Sequence, residues 1–397
     1  MKIVNMSRTP GKAWPSLTAT SLLALLVLTA CGSGSGADPV DGGLPQTIRI
    51  VSINPETGPF TYAGLGAEEG YKVATKEIND TRFFGDSTLS VTYEDDKGEP
   101  VTAANKLSTA VSDRSIPAVF GSVASPSALA MSPIAQKAGL PIIYTQAGSD
   151  GVVVGDYTWR ATPLMISFYP IMKKFVAEQG WKSLGIIYTT SSPTLAKIGS
   201  TVLPDLAKEL GINVVASVGT TPTTQDFSAP IAQILGAKPD GVALIQSGAS
   251  NVTAMTQLRQ AGYTGPVLGN SAAGAGNLTP AGPDGAGMVW PTDFSSLVSS
   301  PGSEKFSGLY RQMFGKEPTN YAAEAYDAAW FVARAIKAAG STDRAKVKDA
   351  MVAAGKEPMS GALGDQLRWV DGTLQAPGVV VEWTGTAEKL LYNGKDV

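Results

Sequence analysis

Histidine is absent from all 397 residues, and cysteine occurs once, at Cys31. Without histidine the chain has no Ser-His-Asp or Cys-His catalytic arrangement and no histidine-containing zinc site. One thiol closes no internal disulfide, so packing alone must hold the folded body together. No lysine has a serine three residues before it, which excludes a Ser-x-x-Lys hydrolase motif. Gly269-Asn270-Ser271-Ala272-Ala273 approaches a nucleophile elbow but lacks the final glycine, and no Walker-type phosphate loop occurs. Gly64 to Gly70 has the wrong spacing for a dinucleotide fingerprint, and Glu94-Asp95-Asp96 does not match a calcium loop. These absences argue against an enzyme, a cofactor or a metal. Charged residues make up only 16% of the chain and form no basic cluster, which argues against nucleic acid as a partner.

Long hydrophobic runs are also missing. The most apolar stretch, Leu17 to Ala30, is 14 residues long, short of the roughly 20 a membrane-spanning helix needs. Lys2, Arg8 and Lys12 precede it, so residues 1–30 have the anatomy of a secretory signal peptide. Its end, Leu28-Thr29-Ala30-Cys31, resembles the bacterial lipobox, which implies lipidation at Cys31 and anchorage to the outer face of the cytoplasmic membrane. Two or more acyl chains anchor stably where one does not. Residues 31–46, rich in Gly and Ser, then form a flexible tether. Without residues 1–30 the balance becomes 28 Lys+Arg against 34 Asp+Glu, a net −6. The remaining length exceeds one ordinary core and suggests two domains.

From Ile48 onward strand and helix periodicities alternate. Ile48–Ile53, Leu89–Glu94, Ala118–Val123 and Pro141–Thr145 predict strands. A turn-rich TGPFTYAGLG is expected after the first, leading into a helix through Asn79 with Tyr71, Ala74 and Ile78 on its core face. Helices are predicted at 101–112 and 127–138, the latter ended by Gly139. The rhythm restarts after Trp159, with helices at 167–179, 195–210, 228–235 and 252–261 and strands at 184–188, 213–218, 242–245 and 267–268. Such alternation predicts right-handed βαβ units. The fold class is α/β, two doubly wound parallel-sheet lobes. A further helix, 321–339, carries Tyr321, Tyr326, Trp330 and Phe331 as core, and Asp343–Asp349 reads as a solvated helix face.

In parallel sheets ligands bind beyond the carboxyl ends of the strands, at helix N-termini. Four loops there are rich in small hydroxyl residues: Val123–Ser127, Thr145–Ser149, Gln246–Ser250 and Asn270–Gly274. Their hydroxyls and backbone N–H groups suit a carboxylate or another small polar group, although a serine at a helix start also serves as an N-cap.

The stretches IRIVSINPETGPFTYAGLGAEEGYKVATKEIND, AVFGSVASPSALAMSPIAQKAGLPIIYTQAGS, DYTWRATP, DFSAPIAQIL, TQLRQAGYTGPVLG and YAAEAYDAAWFVARAI occur in that order from Ile48 toward Glu382. Together they resemble the type I periplasmic solute-binding proteins of ABC importers, in the leucine/isoleucine/valine-binding branch. The resemblance implies two lobes joined by three crossovers, near Trp159–Thr162, Val289–Thr292 and Leu367–Val370. Lobe 1 would hold residues 47–160 and 291–368, and lobe 2 residues 161–290 and 369–397. It implies a monomer that captures a small-molecule ligand by closing and docks on ABC permease subunits. The alternative is a module that senses amides or amino acids and signals to a partner receptor or regulator.

For the site, the resemblance places ligand carboxylate and ammonium at Ser125, Ala147 and Ser149. Tyr62, Tyr321 and Ala124 fall at or beside side-chain-contacting positions. Asn270 and Ser271 belong to the loop after the last parallel strand of the second lobe. That lobe departs from the family pattern, with Ser247 where a tyrosine is expected and Ser271 where an acid would pair the ammonium. Ala63 holds the first-lobe aromatic position, so Tyr62 substitutes only if the loop shifts. Losing one partner of a buried charge pair costs about 3–5 kcal/mol. An α-amino acid therefore requires Glu56, Asp293 or Glu324 to reach the ammonium, and a small carboxylate or amide does not.

Overall fold

A computed structural model describes residues 43–221 and 224–394. The expected signal peptide, Cys31 and most of the expected tether lie outside the described residues. The chain opens with β1 (Thr47–Asn54), α1 (Thr61–Asp80), β2 (Thr88–Asp95), α2 (Pro100–Ser112), β3 (Val119–Gly121), α3 (Ser125–Ala138), β4 (Ile142–Tyr144) and β5 (Thr158–Arg160). Next come α4 (Tyr169–Glu178), β6 (Ser183–Thr189), α5 (Pro193–Lys197), α6 (Leu203–Glu209), β7 (Asn213–Thr220) and α7 (Ser228–Gly236). They lead to β8 (Gly241–Ile245), α8 (Ala249–Gln260), β9 (Val267–Leu268), the one-turn α9 (Ala275–Leu278) and β10 (Met288–Thr292). Three helices follow, α10 (Pro301–Phe314), α11 (Asn320–Ala339) and α12 (Arg344–Ala354). The described chain ends in β11 (Met359–Gly361), β12 (Gly364–Val370), β13 (Thr373–Gln375), β14 (Val379–Trp383) and β15 (Glu388–Asn393).

The strands make two sheets, ordered β11-β12-β13-β5-β4-β3-β1-β2 and β15-β14-β10-β9-β8-β6-β7. Each packs helices against both faces, so each lobe has apolar clusters on either side of its sheet. The central strands β8 and β10 are buried at every residue, as strands covered on both faces must be. Pairing is parallel from β2 to β5 and from β7 to β10. The sheets are mixed rather than wholly parallel, because antiparallel strands from the C-terminal segment extend one edge of each.

The chain passes between sheets after Arg160, after Thr292 and again at residues 376–378. The third passage therefore lies beyond the expected Leu367–Val370, and the lobe boundary at 368/369 moves with it. Its cause is a tight β12–β13 hairpin with Val370 opposite Thr373. Asp371 and Gly372 both have positive φ, 47° and 72°, the conformation of a two-residue turn that Asp-Gly favours.

Two further expectations change. The segment TYAGLG is the start of α1, not a turn, and its helix crosses α11 closely. A Cβ at Gly70 would lie 2.1 Å from the Ala322 carbonyl oxygen, so the missing side chain sets the helix separation. Tyr71, Ala74 and Ile78 are buried as their periodicity predicts, with Tyr71 stacked on Phe120. The charged run at 343–349 is not wholly solvated. Arg344 is buried and donates to the carbonyls of Ala110, Val111, Asp113 and Ile116, satisfying backbone acceptors where α2 ends.

Candidate functional site

The carboxyl ends of β3, β4, β6, β8 and β9 send their loops to one region between the sheets. A cavity of about 60 Å³ lies there, well above the roughly 10–15 Å³ needed to hold a water molecule. From the first lobe it is lined by Phe60, Tyr62, Ala63, Val123, Ser125, Pro126, Gln146 and Tyr321. The other wall is Met165, Ser191, Ser192, Thr194, Leu195, Ser247 and Ala272. No charged side chain is among them.

Four residues expected from the sequence line this cavity: Tyr62, Ser125, Ser247 and Tyr321. Ser125 opens α3, where the first N–H groups of a 14-residue helix lack helical partners. Its Oγ accepts from the Ser149 N–H at 3.3 Å, which leaves the hydroxyl proton free to donate. Tyr62 and Tyr321 meet edge to face with centroids 5.6 Å apart. Burial pushes the Tyr62 phenol up to about 12, and Tyr321 is raised as well, so both remain neutral donors near pH 7.

The other five expected residues are buried but do not line the cavity. Ala124 caps α3 from its N-terminal side, and Ala147 packs in the cluster behind β4. Ser149 sits beneath Ser125, its Oγ 3.4 Å from the Thr194 hydroxyl of the other lobe. The Ser271 carbonyl accepts from the Tyr321 hydroxyl at 3.4 Å. Asn270 has both ends of its amide committed, accepting from Ala272 N and donating to the Gln246 carbonyl. These bonds brace its loop behind the cavity wall.

Sequence reasoning missed Gln146, Ser191, Ser192 and Thr194. The last three lie in the hydroxyl-rich loop after β6, and the same rule that marked four other strand ends would have marked this one. Ser192 also caps α5, accepting from Leu195 N. Gln146 lies in the marked loop Thr145–Ser149 but was not singled out, because its role depends on a left-handed φ of 57° that a non-glycine residue rarely adopts. Glu324 holds it there, accepting from the Gln146 backbone N–H at 3.2 Å and from its side-chain amide. At the other end of the loop, buried Arg160 donates to the Ser149 carbonyl at 3.1 Å. Burial lowers the Arg160 guanidinium to about 10, and it stays charged at neutral pH.

None of the three acids weighed for an ammonium lines the cavity. Glu324 and Asp293 hydrogen-bond each other, and Asp293 also accepts from the Thr162 hydroxyl at 3.1 Å, joining the first two inter-sheet passages. Burial pushes both carboxyls up, Glu324 the further, so the pair holds a proton between them. Glu56 is half-buried beside Asp95, whose carboxylate accepts its N–H.

The sequence profile described as periplasmic binding protein matches residues 47–388. The chain belongs to that family. It is similar to the Leu/Ile/Val-binding protein homolog 7 of Brucella abortus (strain 2308), 26% identical over 364 residues that cover 86% of this chain and 88% of that one. Among solved structures it is similar to the leucine binding protein LivK of Thermotoga maritima, with a TM-score of 0.79 at 24% identity over 88% of this chain and all of that one. A solute binding protein of R. palustris in complex with benzoate superposes with a TM-score of 0.77 at 18% identity, covering 88% and 96% of the two chains. These two likenesses establish the two-sheet fold of a type I periplasmic binding protein.

Proposed function

We propose that the protein is the extracytoplasmic capture subunit of an ABC importer. It takes a small carboxylate or amide of branched-chain amino acid size between two closing lobes. One observation carries the ligand class: the inter-lobe cavity is lined by hydroxyls, an amide and the start of α3, with no acid to face an ammonium. A helix N-terminus favours a carboxylate or carbonyl oxygen. The nearest buried acids, Asp293 and Glu324, are consumed by each other and by Gln146, Asn320 and Thr162. Kinship with a Leu/Ile/Val-binding protein homolog supports the size class, and a benzoate-bound structural neighbour supports a carboxylate without an α-amino group.

Capture works by a shift of populations: a ligand touching both walls binds the closed form better and draws the lobes together. A lipid on Cys31 holds the closed protein near its permease at the membrane face. Transfer to the permease completes the cycle. Metabolic labelling with a radioactive fatty acid, lost in Cys31→Ser, tests the anchor.

Thermal shift with isovalerate, isovaleramide, leucine, 4-methyl-2-oxopentanoate and isoamylamine tests the ligand class. The acids and the amide are expected to raise Tm and the amine is not. Ser125→Ala removes one donor to the head group and is expected to weaken acid binding about ten- to hundredfold, since a hydrogen bond to a charged group contributes about 1.5–3 kcal/mol. Stabilisation by leucine alone contradicts the assignment.

A further inference from the structure

Beside the candidate cavity lies a second cleft of about 790 Å³. The two share Tyr62 and Tyr321 as a common wall. The larger cleft is walled by Trp290 of β10 and Trp383 of β14, with Phe294 between the lobes. Leu65 and Leu297, 43% and 50% exposed, open onto it as well. They are two of seven large apolar side chains that stand open to solvent among the described residues.

The cations along this cleft are already matched. Glu69 pairs with Lys316 at 2.8 Å and Arg311 with Glu317 at 3.0 Å, while Glu388 accepts from the Ser295 hydroxyl. An anionic occupant would find no unmatched cation and would lose its hydration. The indole rings and the two open leucines thus favour a largely apolar occupant over an anion.

We propose that the ligand is elongated, with its carboxylate or amide head in the cavity beside Ser125 and a neutral apolar tail running past Tyr62 and Tyr321 into the larger cleft. The proposal rests on the head-group assignment above. The two tyrosines, which line both spaces, then flank the tail where it crosses from one to the other, and the tail covers Leu65 and Leu297. Length selectivity is set by the cleft and head-group selectivity by the cavity.

Calorimetric titration of the purified protein with isovalerate and with ω-phenylalkanoates from phenylacetate to 6-phenylhexanoate separates the two. Affinity is expected to rise about three- to fourfold per added methylene until the tail fills the cleft. Leu297→Arg, a change at a half-exposed position, is expected to flatten that rise. Affinity that stays level or falls with length while isovalerate binds overturns the elongated ligand and leaves the head-group assignment standing. A rise that persists unchanged in Leu297→Arg puts the tail elsewhere and overturns it too. Failure of every acid to bind, short or long, removes both proposals together.

Discussion

Glu324 is an acid in a helix face that water does not reach. Beyond Gln146 and Asn320 it faces Asp293, and two carboxyls in mutual contact do not both ionise. Burial, then repulsion from Asp293, raises Glu324 well above the usual carboxylate range. One turn on, Asp327 accepts from Ala362 N and Leu363 N, yet burial still pushes it up to about 7 against the pull of Arg334. In both cases the native state keeps a proton that the unfolded chain releases near pH 4, the ordinary carboxylate value. Stability therefore falls as pH rises from about 4, and for Asp327 that loss is complete a little above pH 7. Asp95, Asp113 and Asp156, held low by hydrogen bonds, work in the opposite sense and lose their contribution as the pH drops through their native values. The urea midpoint is expected to be highest in mild acid and to decline toward pH 8. Glu324→Gln keeps an acceptor for Gln146 and supplies an N–H to Asp293, so its decline should be shallower. A wild-type midpoint that rises between pH 5 and pH 8 contradicts this account.

Glycine in the helices separates close packing from mere tolerance. At Gly70 in α1 an added methyl meets the α11 backbone, whereas at Gly308 in α10 it meets nothing within 4 Å. Gly70→Ala is expected to destabilise by about 1–3 kcal/mol through overpacking. Gly308→Ala should stabilise by about 0.5–1 kcal/mol, because only the backbone entropy of glycine is removed. Denaturant midpoints of the two variants check the contrast. The same contrast shows what periodicity conveys. Alternating β and α patterns put nearly every parallel strand and flanking helix within a few residues of its place, since burial of one face is written in the spacing of apolar residues. Whether Gly64 and Gly66 mark a turn or a helix was not legible, because Gly66, like Gly70, packs on α11 more than two hundred residues away, while Gly64 packs on the Pro55 backbone. The Asp371-Gly372 hairpin was legible from its dipeptide and its alternating flanks, but the family frame drew the crossover earlier. In the site, hydroxyl loops at strand ends were visible. The burial of Asp293 and Glu324 was not, because it is decided by the passages between sheets rather than by neighbours in sequence.

At the scale of the whole chain, the lobes touch at several points around the cavity. The Tyr62 ring packs closely on Gly248, Tyr321 reaches the Ser271 carbonyl, Ser149 meets Thr194, and Lys197 pairs with Asp150 at 3.3 Å. The last is an exposed ion pair and contributes about 0–1 kcal/mol, so closure rests on the others. Gly248 is the tightest. Its φ is 49°, and a Cβ there would lie 2.9 Å from the Tyr62 ring. Gly248→Ala adds a steric cost paid only when Tyr62 closes on it, together with strain of about 1–3 kcal/mol in the loop, because φ 49° with ψ −133° is a conformation that favours glycine. Ligand affinity is reduced by the fraction of molecules able to close. A closure penalty of about 1.4 kcal/mol or more corresponds to at least a tenfold loss, with a smaller effect on the unfolding midpoint of the unliganded protein. X-ray scattering on the variant should show a larger radius of gyration that ligand reduces only at higher concentration. Unchanged affinity and an unchanged scattering profile would mean that the Tyr62–Gly248 contact is incidental, and that the lobes are held together by the passages between the sheets alone.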